Sequence, residues 1–415
     1  MTAILLSGCL GPDTGAAEAP DASAVKEPSR PTVVALIDSG INVYHEAFQA
    51  RPGFVIPPEA RASAVSVPLA PAGSYADRRA ADDPFWTEVE AGTLYSFPGT
   101  RVLAITFGRY DFQTPILDEA EGSHGTGTAS LVAREDPDAV IVMIQVQTSL
   151  CIPYERPECH IDRSIVEGMK WASAQPWIDI ISVSLGVHGN APGDPRIYPE
   201  VAEYLAATRA AAASGKLVVN GGGNTVGPPL ASHFNGPPWI ISVGGYEPSM
   251  GGERIEAGKY SDVVANFTEI VAREGSIDEY RVELGTSFGT PLVSGVLSRA
   301  LGLVRAANPE TALEAPILAA RLRAALNHSA ATVGAEAWAP LAGAENLTTD
   351  PLSAVALPVA APAQAGWGYV TGAIVPEMVR RVLEGDDAVP ADKIAAASGR
   401  AAVQAAREAY WLQYA

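Results

Sequence analysis

Short runs of β-branched and aliphatic residues with no polar alternation recur between residues 32 and 244, and they constrain the fold more than any other feature. The first, Thr32-Val33-Val34-Ala35-Leu36-Ile37, ends at Asp38-Ser39-Gly40. A strand with one face in water alternates apolar and polar residues. A strand without alternation must be covered on both faces, as in a parallel sheet between two helix layers. Similar runs are read at 101–107, 139–146, 178–184, 216–219 and 239–244. Helix-period segments at 164–174 and 199–214 separate the later runs, and helices are also expected at 287–305, 312–327, 374–384 and 390–412. The alternation predicts an α/β fold, a doubly wound, mostly parallel sheet flanked by helices on both faces. Residues 49–100 lack this rhythm, are rich in Pro and Ala, and are expected to be irregular.

Sheets of this kind bind ligands beyond the carboxyl ends of their strands. Asp38 closes the first run, and Gly221-Gly222-Gly223-Asn224 follows the run at 216–219. Two further motifs carry reactive groups: Ser123-His124-Gly125-Thr126, and Gly285-Thr286-Ser287-Phe288-Gly289-Thr290-Pro291 at the start of an apolar helix. A serine hydroxyl is a weak nucleophile and needs a neighbouring base. An imidazole held in one tautomer by a carboxylate supplies that base. Asp38, His124 and Ser287 are therefore the candidate orienting acid, base and nucleophile. Gly125 is expected to leave room for a substrate beside His124. Each motif also has a plainer reading: Asp-x-Gly as a turn, and Thr or Ser at a helix start as an N-cap.

The chain order Asp, His, Ser is that of subtilisin, and the sequence resembles the subtilisin-like serine peptidases (subtilases, peptidase family S8) over residues 31–385. Ser184-Leu185-Gly186 resembles the family's substrate-binding strand, Gly222-Gly223-Asn224 its oxyanion turn, and Gly366-Trp367-Gly368-Tyr369 its closing glycine-rich turn. The resemblance implies a serine endopeptidase that works through an acyl-enzyme, with Asp38, His124 and Ser287 as the triad. It implies Asn224 and the Ser287 backbone N–H as oxyanion donors, and a substrate groove built from Ser184, Leu185, Gly186, Gly222 and Gly223. These neutral, small residues point to an apolar or bulky P1 side chain.

The departures from the family pattern carry expectations too. Phe288-Gly289-Thr290 replaces the usual Met-Ala-Ser and is expected to pack the helix without a chemical role. Glycines replace the usual alanines before Asn224 and are expected to widen the pocket wall. Asp38 and His124 stand 86 residues apart, which implies an insertion within 49–120. The alternative is a surface-tethered pseudoprotease that binds peptides, although no triad residue is lost to favour it; a processing enzyme dedicated to one partner protein is a third reading.

A formal net charge of −19 disfavours nucleic acid and anionic membrane surfaces as partners. No apolar run is read as long enough to span a bilayer, which takes roughly 18 residues. Cys151 and Cys159 frame a polar, Pro-rich segment and are read as a disulfide of an exported protein or as free thiols; a metal would lack ligands, since only His160 is adjacent. Residues 1–9 resemble the end of a prokaryotic lipoprotein signal with Cys9 lipidated, or the match is accidental. Residues 10–30 read as a flexible tether, too short for a folded prodomain. Residues 31–385 read as the catalytic domain and 386–415 as a C-terminal helical extension.

A lipid-anchored, cell-surface monomer acting on protein or peptide is expected, with secretion as the alternative. No cofactor is required, although Asp111, Asp118, Glu119 and Glu121 near His124 offer oxygen ligands of the kind calcium takes. His45, His160, His188, His233 and His328 have no metal-ligand spacing and are expected to be structural or at the surface.

Overall fold

The unbroken runs form parallel strands. The computed structural model describes residues 30–108, 114–119, 122–147, 161–185, 199–224, 234–247, 254–256, 261–308, 313–333 and 366–412. Strand β1 (Val33–Asp38) lies between β5 (Val140–Gln145) and β6 (Ile180–Val183), parallel to both, with Asp38 opposite Gln145. Beyond β6 come β7 (Leu217–Gly221), β8 (Ile240–Glu247) and β10 (Val263–Asn266). Beyond β5 come β4 (Val102–Thr106), β3 (Tyr95–Ser96) and β2 (Val65–Ser66), β3 running antiparallel to β4. The antiparallel strand β9 (Arg254–Glu256) pairs with β8. Among the described residues the order is β10-β8-β7-β6-β1-β5-β4-β3-β2. The chain leaves β1 for the β2 edge and then crosses the sheet past β1 to the β10 edge, so β1 is a central strand and its carboxyl end lies on the side where such sheets bind ligands.

The two faces of β1 explain its composition. Val34 and Leu36 enter one core, against α4 (Gly125–Glu135), α7 (Thr286–Ala307), α8 (Ala315–Ser329) and α9 (Val375–Glu384). Val33, Ala35 and Ile37 enter the other, against α5 (Arg163–Ala174), α6 (Pro199–Ala213) and α10 (Ile394–Trp411). Helix α7 is long and apolar enough to cross a membrane, yet most of it is buried in the first core.

Two regions differ from the sequence expectation. Residues 49–100, read as irregular, contain three short helices, α1 (Pro58–Ala62), α2 (Tyr75–Ala81) and α3 (Asp83–Trp86). A reciprocal Ser74–Asp77 capping box starts α2. Phe85 packs against Trp86 and Tyr95 with ring centroids 4.6 and 5.2 Å apart, and these aromatics extend the first core under the segment. The second region is an antiparallel ribbon of β11 (Thr268–Ala272) and β12 (Tyr280–Leu284), unread in the sequence, which leads directly into α7.

Candidate active site

Asp38 is the last residue of β1 and is almost fully buried. Its Oδ1 accepts from the Ser39 N–H at 2.7 Å and from His124 Nδ1 at 2.8 Å; its Oδ2 accepts from Thr128 Oγ1 at 3.0 Å. Thr128 lies one helical turn after His124, so the segment that supplies the imidazole also fixes its carboxylate. His124 stands at the N-cap of α4. Burial would lower its pKa, but the charge of Asp38 and the hydrogen bond to it outweigh burial, and the imidazole titrates above its ordinary value.

Behind this pair lies a layer that sequence reading missed. Ser39 Oγ accepts from the backbone N–H groups of His124 (3.1 Å) and Gly125 (2.8 Å) and donates to Asp118 Oδ1 at 3.0 Å. The other Asp118 oxygen accepts from the Thr126 N–H at 2.8 Å. Asp118 is fully buried, which lifts its carboxyl above the usual range. Of the calcium candidates, Asp118 therefore has both oxygens bonded to protein donors, Glu119 accepts from Tyr75 and Arg79 (3.0 and 2.7 Å), and Asp111 and Glu121 lie outside the described residues. Among the described residues no group of His, Cys, Asp and Glu has the arrangement of a metal site.

Gly125 has a different reason from the one expected. A Cβ there would lie 2.1 Å from the Gly40 carbonyl oxygen, so the glycine admits the neighbouring backbone rather than a substrate. Gly40, at φ +140, in turn sits where a Cβ would come within 2.6 Å of the Ile116 oxygen. The Asp38 and His124 loops are thus pressed together main chain to main chain.

Ser287 is the second residue of α7, so its N–H is among the first-turn donors that have no partner within the helix. Four residues on, Pro291 has no N–H to give to the Ser287 carbonyl. Ser184 Oγ donates there instead at 2.8 Å, while Ser287 Oγ donates to the Ser184 carbonyl at 3.3 Å. Ser184, expected in the substrate groove, is therefore bonded to Ser287 through both its hydroxyl and its carbonyl. Among the described residues no hydrogen bond joins Ser287 Oγ to His124. The ring of Phe288 lies 5.2 Å from that of His124, so this departure from the family pattern touches the imidazole as well as packing its helix.

Asn224 follows β7 and is exposed. Its Oδ1 accepts from both the N–H and the hydroxyl of Thr286, at 2.8 and 2.9 Å. With the oxygen so occupied, the amide NH₂ is the end left to donate. Gly222 does not widen a pocket: a Cβ there would meet Ser261 Oγ at 3.1 Å and the Val243 oxygen at 3.2 Å. Gly223, at φ +97, would direct a side chain into open space. Leu185 is buried, and Gly186 lies outside the described residues, as do Cys9, Cys151, Cys159, His160, His188 and His233. His45 is buried away from the site, bonded to the Glu279 oxygen, and His328 packs on Trp367.

A carboxylate–imidazole pair and a helix-start serine at the carboxyl edge of a parallel sheet are the side chains that a serine hydrolase uses. The chain belongs to the subtilase family of serine peptidases, whose sequence profile matches residues 29–351. Among solved structures, the prenylagaramide maturation protease PagA is 14% identical, with a TM-score of 0.50 over 86% of this chain and 95% of its own. A lanthipeptide protease is 17% identical, with a TM-score of 0.50 over 85% of this chain and 88% of its own. No curated protein sequence matches the chain.

Proposed function

We propose that the chain is an endopeptidase in which Ser287 attacks the scissile carbonyl, forming an acyl-enzyme that water then hydrolyses. The observation that carries this reading is the 2.8 Å contact between His124 Nδ1 and the buried Asp38 carboxylate. It holds one tautomer of the imidazole, so Nε2 is the lone-pair nitrogen that takes the Ser287 proton and returns it to the leaving amine. The imidazolium formed in between is stabilised by the same carboxylate. The developing oxyanion is met by the Ser287 N–H at the helix start and by the Asn224 amide. The Ser287 hydroxyl must leave the Ser184 carbonyl to reach His124; hydrogen bonds in empty sites are commonly long and tighten only with substrate.

The substrate reading is an extracellular protein or peptide with an apolar P1 residue, met by a monomer held at the cell surface through a lipidated Cys9. The Cys151–Cys159 disulfide belongs to that exported setting. A serine-directed phosphonate is expected to label Ser287 alone, and Ser287→Ala to lower kcat about 10⁶-fold, the magnitude known for subtilisin. Unchanged turnover in Ser287→Ala would overturn the mechanism. A folded protein with neither turnover nor label would leave the peptide-binding reading in its place.

A further inference from the structure

Helix α10 lies beyond the stretch that the family profile matches, yet its Arg407 is completely buried. The guanidinium donates to the carbonyls of Gly236 (2.7 Å), Pro237 (2.7 Å), Ile240 (3.1 Å) and Asn235 (3.2 Å), and to Asp262 at 3.1 Å. Arg323 of α8 reaches the same loop, donating to the Pro238 carbonyl at 2.8 Å. Apolar residues of similar size often hold a core as well as a buried ion pair does. What an apolar side chain cannot do is aim a set of carbonyls, and a planar fork of five donors can.

The loop that Arg407 aims is hydrogen-bonded to the chain just ahead of the oxyanion turn. Asn235 Nδ2 donates to the Gly222 carbonyl at 3.1 Å, and the Phe234 carbonyl accepts from Asn220 Nδ2 at 3.0 Å. These contacts hold the chain on the β7 side of the turn, two residues ahead of Asn224. On the far side Asn224 is held by Thr286. We propose that Arg407 and Asn235 are positioning residues for the oxyanion hole, through which the C-terminal helix sets the placement of the Asn224 amide. The proposal rests on the role given to Asn224 above.

The test is steady-state kinetics on a peptide anilide with the full chain, in a double-mutant cycle. Asn235→Ala and Arg407→Lys are each expected to lower kcat about tenfold with KM nearly unchanged, less than the 10²-fold cost of about 1 Å of misplacement. In an Asn224→Ala background neither change is expected to lower kcat further, because the group being positioned is gone. A fold-stabilising role alone would lower both backgrounds equally, and that result overturns the proposal, as does a rise in KM with kcat intact. If Arg407→Lys does not fold, Asn235→Ala decides alone, and full turnover there refutes the proposal. Slow Asn224→Ala with full-rate Asn235→Ala removes this inference only; full-rate Asn224→Ala removes the oxyanion reading with it.

Discussion

The two halves of the site are built on different principles. The Asp38–His124 half is rigid by contact: Asp38 is buried among donors, and the loops on either side touch main chain to main chain at Gly40 and Gly125. The Ser287–Asn224 half hangs from the start of α7, with Asn224 exposed and held through Thr286, and with Ser287 on a 3.3 Å bond to Ser184. The difference teaches that Asp38 and His124 are fixed by buried contacts between two loops, whereas Ser287 and Asn224 are fixed by hydrogen bonds to single neighbours, Ser184 and Thr286.

The contrast can be broken most sharply at Gly125. An added Cβ would require the two loops to part by more than 1 Å. Gly125→Ala should therefore cost at least about 10²-fold in kcat/KM together with about 3 kcal/mol or more of stability. A thermal melt and a progress curve check both, and a variant with native Tm and native turnover would show that the rigid half is not rigid. In the looser half, Asn224→Ala should lower kcat about 10²–10³-fold with KM little changed, as an oxyanion donor does, while the Tm stays close to that of the parent. A large fall in Tm would mean that Asn224 holds the fold rather than the transition state.

The smallest effect is a titration. In the parent the His124 imidazole should titrate above 6.5, because the Asp38 charge outweighs burial. The base is neutral only above that raised pKa, so kcat/KM should rise with pH through it. Asp38→Asn removes the charge and leaves the burial, so the imidazole pKa should fall. NMR of the ring protons reads this directly, and an unshifted His124 would mean that Asp38 does not set its charge.

Much of this was legible because the relevant physics is local. The runs at 32–37, 139–146 and 178–184 appear as parallel strands within a residue or two of their read bounds, since a strand covered on both faces must be apolar throughout. The ribbon before α7 has a legible strand period, since Tyr280-Arg281-Val282-Glu283-Leu284 alternates residue by residue, but alternation does not say which face is covered: Tyr280, Val282 and Leu284 are the exposed ones. The capping box at Ser74 and Asp77 was likewise available as a helix-start signal.

Other features had no local signal at all. Arg407 sits in an Ala-rich helix and reads as a solvated charge; its pairing with Asp262, 145 residues earlier, exists only once α10 is laid against the sheet. Ser39, between an aspartate and a glycine, reads as a turn residue, and only the approach of the His124 loop, 85 residues on, makes its hydroxyl the acceptor for two backbone N–H groups. By itself the sequence determined the central strands and the helices that cover them, and it singled out Asp38, His124 and Ser287 as candidates, because periodicity and motif order act along the chain. The tertiary structure decided which glycine admits a backbone, which serine carbonyl accepts from Ser287 and which carbonyls a buried arginine gathers, because those depend on close contacts between segments that the sequence keeps far apart.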